Sequence, residues 1–200
     1  MQFQDVLSHL DRWLEVNAPD DFGTLNPPAR ASDIDAITEN TFPLVPEIRT
    51  WLEYHNGVST HFRHSGPGGF IPGGHYPVDA KRMLLGRRDM EQDVAWSRED
   101  GNEDFVVGRT AHTKWVPVSS THVGTQLIVD HREGLTYGAV LEIDQDLELW
   151  GVMRWKSLSE MFQETLEALE TGRPVVTATG SEIRPEAVRE SDGTSNIVWR

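Results

Sequence analysis

Between residues 114 and 155 four apolar stretches follow one another, at 114–118, 125–131, 137–143 and 147–155. The joints between them hold Gly124, Arg132-Glu133-Gly134 and Asp144-Gln145-Asp146. A parallel crossover needs roughly a dozen residues or more, and none of these joints offers that length. Strands so connected pair with their chain neighbours, so this half of the chain predicts an antiparallel meander. Leu158, Met161, Phe162, Thr165, Leu166 and Leu169 then share one helical face, closed by Gly172, and that helix has the sheet to pack on.

The first third reads differently. Phe3, Val6, Leu7, Leu10, Trp13 and Leu14 form a single stripe at the helical period. Residues 17–30 hold Pro19, Gly23, Pro27 and Pro28, which predicts that no helix continues there. Ser32 suits the cap of a short helix with Ile34 and Ile37 inside, ended by Pro43. Pro46 opens a third helix bearing Ile48, Trp51, Leu52 and His55, and Asn56-Gly57 closes it. From 58 to 76 the chain is rich in Gly, Ser, Pro and His, with one short strand expected at Phe70-Ile71-Pro72. A helix is expected over 79–96 and a polar loop over 97–104. The expected fold class is α+β: one domain, a mostly antiparallel twisted sheet (a meander) packed by about four to five helices. It spans 1–172, with 173–200 an extended C-terminal arm adding to or packing on the sheet.

Two hundred residues, 22.6 kDa, suit one such unit, and the chain has no cysteine. That excludes disulfides, thiol nucleophiles, iron–sulfur clusters and Cys-containing zinc sites. With 18 basic against 32 acidic residues the net charge is −14, a surface that repels phosphate backbones. Nucleic acid is excluded as a partner on that ground, and a basic protein would be steered in. No basic, apolar leader opens the chain and no run of about 18 apolar residues occurs, so the expectation is a soluble, cytoplasmic protein with no membrane partner.

Asn26-Pro27-Pro28-Ala29, Ile34, Val45-Pro46, Trp51 and Asn56-Gly57 are followed downstream by Trp115-Val116-Pro117-Val118, Gly124, Leu127-Ile128-Val129-Asp130 and Gly138-Ala139-Val140. This order of motifs over residues 1–172 resembles the SUKH superfamily, which includes fungal cell-wall assembly regulators and bacterial immunity proteins. The chain departs from the family in having Val45-Pro46 for the usual Leu-Pro, and in a longer segment over 79–105. The resemblance implies a non-enzymatic recognition fold without cofactor: an immunity protein masking a toxin, or a regulatory or scaffold protein of the same fold.

Chemistry sought independently gives little. His61, His64 and His75 form the tightest His group, but their spacing is not that of a helical zinc pair and no carboxylate flanks them, so a solvated loop is the reading and no metal site is assigned. Asp130 and His131 are neighbours on a strand and point to opposite faces, which denies them a mutual bond. Ser119 and Ser120 are placed in a turn without a nucleophile-elbow frame, so a hydrolase is unsupported. No catalytic residue is assigned. Trp13, Trp51, Trp150 and Trp155 are read as core. The residues expected to meet a protein partner are Trp115, Asp130, Asn56 and Trp199, with the chain a monomer or dimer.

Overall fold

The computed structural model describes residues 2–59, 68–144 and 149–200. A five-stranded antiparallel sheet runs β1 (Tyr76–Pro77), β2 (Trp115–Ser120), β3 (Gln126–Asp130), β4 (Val140–Ile143) and β5 (Val152–Trp155), each strand beside its predecessor. The α+β meander read from the joint lengths is the fold.

One sheet face carries Val116, Val129 and Val140, which are register partners, together with Leu127. It is covered by α1 (Phe3–Asn17), α4 (Pro46–Tyr54) and α7 (Leu158–Thr171), whose Leu7, Leu10, Trp51, Leu52, Met161 and Phe162 complete the main core. The Trp51 and Phe162 rings meet at 4.8 Å between centroids. Ser157 caps α7 by accepting the Glu160 N–H, and Gly172 ends it at φ 67°, a conformation that glycine takes without strain. The opposite face carries Trp115, Ile128 and Leu141 against Met90 and Val94 of α5 (Ala80–Glu99). A side chain at Gly86 would meet the Pro117 ring at 2.9 Å, so α5 lies tight on β2 because position 86 has none.

Several expectations are corrected. Among the described residues there are seven helices, more than the four to five expected. α2 (Pro19–Gly23) forms where prolines argued against helix, because Pro19 stands at the first helical position, where its missing N–H costs nothing. α3 (Ala31–Ala36) starts before Ser32, with Arg30 at its cap. α6 (Glu103–Val106) occupies part of the expected loop. The strand near Phe70 is a single bridge, Ile71 to His75, and the paired segment is β1 instead. β4 begins at Val140, three residues after Tyr137, because a turn anchored by Asp130 takes up the earlier ones. Leu149 to Gly151 lie outside β5.

The arm adds nothing to the main sheet. β6 (Val175–Val176) pairs with β7 (Glu182–Ile183), and β8 (Pro185–Arg189) with β9 (Ser195–Trp199). β9 docks through helix α2: Asp20 accepts the Ser195 N–H at 2.7 Å and Asp21 the Ile197 N–H at 2.6 Å, while Ile197 enters the main core. Among the described residues no helix is long and apolar enough to cross a membrane.

Candidate functional site

Trp115 and Asp130 are register partners on the α5 side of the sheet, and both are enclosed at 0 % exposure. Asp130 accepts the Arg132 N–H at 2.9 Å, the Arg132 guanidinium at 2.7 Å and the Thr136 hydroxyl at 2.7 Å. Burial alone would raise its pKa, but these donors hold the carboxyl below the ordinary value. The guanidinium also lies 5.3 Å from the Trp115 ring centroid. The β3–β4 turn is thereby pinned, with Leu135 and Tyr137 presented to solvent. Neither Trp115 nor Asp130 offers its own side chain to a partner.

The surface above Trp115 carries residues that the sequence reading missed. Arg109 lies 4.7 Å from the Trp150 ring and 5.8 Å from that of Phe105, both exposed. Trp150, read as core, is 48 % exposed. Beside it Gly151 turns the chain at φ 63°, and a Cβ on Gly151 would meet the Trp115 ring at 3.2 Å and the Gly108 carbonyl at 3.5 Å, so the chain passes tight over Trp115 with the Trp150 indole left outside. The Trp-Gly pair behind an Asp-rich joint was the available signal, since glycine marks a turn more often than a strand interior.

Asn56 is a connector. Its side-chain oxygen accepts the Ala80 N–H at the start of α5 (2.9 Å), and its carbonyl accepts from Asn26 (3.0 Å). Trp199 is half-buried against the main core and donates its indole N–H to the Phe70 carbonyl at 3.2 Å. Of the four expected partner residues the structure brings together Trp115 and Asp130, and places Asn56 and Trp199 elsewhere in internal contacts.

His61 and His64 lie outside the described residues. His75 is enclosed at 1 % exposure, contrary to a solvated loop. Ser119 and Ser120 lie within β2, and the Ser119 hydroxyl meets His75 Nδ1 at 3.0 Å. Glu142 faces His75 Nε2 at 3.5 Å and pairs with Arg154. Burial pushes the imidazole pKa down and keeps it neutral, while His75 and Arg154 hold Glu142 ionised against its own burial. The neutral ring that fits this set accepts the serine proton at Nδ1 and donates from Nε2 to the carboxylate. Serine, histidine and carboxylate thus stand in relay order, but the Ser119 hydroxyl is closed off inside the core. His131 is held separately: its Nε2 accepts the Val45 N–H at 3.1 Å, and its Nδ1 donates to the Val129 carbonyl at 3.0 Å. Burial lowers its pKa to about 4, so it is neutral, as an acceptor must be.

Beside α5 a cavity of about 360 Å³ is lined by Asp89, Asp93 and Asp144 with Met90 and Ile143. Burial, then the neighbouring Asp89, raises the Asp93 pKa. Among the described residues no group of three His, Asp or Glu side chains converges to hold a metal. The arrangement offers a turn pinned by Asp130 and an exposed cation–aromatic stack. Compared with family models and with curated proteins, the chain matches none.

Proposed function

We propose that the chain is a non-enzymatic protein-binding module of the SUKH type, an immunity protein that masks a basic toxin partner in the cytoplasm. The observation that carries this reading is the Phe105–Arg109–Trp150 stack. Aromatic and arginine side chains dominate binding hot spots, and here the exposed Phe105 and Trp150 rings flank the Arg109 guanidinium. The charge of −14 supports it by steering a basic surface in, and opposes nucleic acid. The motif order over residues 1–172 adds the family expectation.

Coexpression with a toxin domain encoded beside this gene is the test. Growth restored by the wild-type chain, and lost when Phe105 and Trp150 are both replaced by alanine in a protein that melts normally, is the expected result. No protection by the wild type refutes the immunity role. The alternative is then a regulatory or scaffold protein of the same fold.

A second reading, a small hydrolase, draws on one observation, the Ser119–His75–Glu142 order. Ester turnover abolished by Ser119→Ala, in a protein of unchanged fold, would establish it.

A further inference from the structure

The two edges of the five-stranded sheet are finished differently. β1 is two residues long and contains Pro77, and Val58 donates its N–H to the Pro77 carbonyl at 3.1 Å. A short strand, a proline and a covering segment all close an edge to further pairing. β5 has no proline, and among the described residues no strand pairs with its outer side. Its single charge does not guard it either. Arg154 turns inward to Glu142 and to the Val176 carbonyl (2.8 Å), leaving its side chain 8 % exposed. Val152 and Met153 stand 36 % and 53 % exposed on opposite faces of this strand, and Trp150 lies just ahead of it. An open, apolar edge without a guarding charge is the form that accepts an added strand.

We propose, resting on the binding-module reading above, that β5 is the docking edge for an extended basic segment of the partner. The segment pairs with β5 through main-chain hydrogen bonds and covers Met153 and Trp150. Charge selects this occupant. Glu160 accepts the Lys156 N–H and Glu164 the Trp155 indole N–H, both at 2.6 Å, and since Arg173 already faces Glu164 at 3.4 Å, Glu160 and the net charge of −14 supply the field that a basic segment answers. A second copy would set −14 against −14.

The probe is an end-blocked peptide of alternating lysine and valine, about nine residues long to match an added strand. Two controls accompany it: the same peptide N-methylated at alternate amides, and its glutamate counterpart. Amide exchange across 152–155 is read in the intact protein. At saturation the lysine peptide is expected to slow exchange there on the order of tenfold, less at high salt, and neither control does so. Met153→Lys, at an exposed position, is expected to abolish the protection and leave the melting temperature unchanged. Equal protection by the N-methylated peptide, no protection at 152–155, or protection that grows with protein concentration alone would overturn the proposal, the last by assigning the edge to a second copy. In the growth assay, a Met153→Lys chain that still neutralises the toxin overturns the docking edge but leaves the binding-module reading standing. Failure of the wild-type chain to neutralise refutes the immunity role, while the exchange result stands by itself as the test of the docking edge.

Discussion

Trp115 and Asp130 face each other across β2 and β3, and Arg132 joins them, donating to the carboxylate at 2.7 Å while lying 5.3 Å from the indole centroid. Both residues are enclosed. Their roles are therefore internal: the carboxylate sets the turn that carries Leu135 and Tyr137, and the indole forms the floor under Gly151.

Trp115→Ala is expected to destabilise the protein by about 3–5 kcal/mol, the usual cost of emptying a large aromatic site in a core. Urea denaturation checks this. A variant of unchanged stability that no longer binds a partner would make Trp115 a contact residue instead.

Asp130→Ala removes the acceptor for three donors, one of them charged, and is expected to cost about 2 kcal/mol, because Arg132 is partly exposed and can turn to water. Its pKa is depressed in the fold, so its stabilisation is present above the unfolded carboxyl value and is lost as pH falls through the folded one. Exchange at the Gly138 amide, whose N–H donates to the Asp130 carbonyl at 2.7 Å, should quicken in the variant. Unaltered exchange there would detach the turn from this carboxylate.

Joint length, helical stripe and cap residues made most of the fold legible, because each is a local constraint. The misplaced pieces depend on contacts far apart in the chain. Trp150 reads as core until Gly151 is seen against Trp115, and β4 starts late because Asp130 spends its side chain on the turn. Ser119 and His75 are 44 positions apart, and no spacing rule joins them. The exposed stack was equally hidden, since Phe105, Arg109 and Trp150 meet only through the packing of two turns.

Two buried groups have opposite acid responses. His131 falls from 6.5 to about 4 on folding, so its contribution is full above 6.5 and drops by about 3 kcal/mol as pH falls toward 4. Asp21 is raised by burial from 3.8 to about 6, so the fold gains by a similar amount as pH falls through 6 toward 3.8. These two contributions nearly cancel between about pH 4 and 6. Asp21→Asn should steepen the acid loss of stability and His131→Leu should reverse its slope, whatever each costs at pH 7. Parallel pH–stability curves for wild type and both variants would contradict the assignment.

Asp21 also holds the arm. Its carboxylate accepts the Gly68 N–H at 2.5 Å and the Ile197 N–H at 2.6 Å. Asp21→Ala should release both and lower the melting temperature, with faster exchange at the Ile197 amide. Truncation after Gly172 should lower it further, since Ile197 and Trp199 leave the core as well. An arm that exchanges freely in the wild-type chain would show that these contacts do not hold in solution.

The association rate of the purified protein with a candidate basic toxin domain tests the central claim most directly, measured from about 0.02 to 0.3 M salt, where screening changes most. The account predicts a specific complex whose association slows at least tenfold over that range, because a −14 surface steers a basic one. No complex at micromolar concentrations, at any salt, would contradict it.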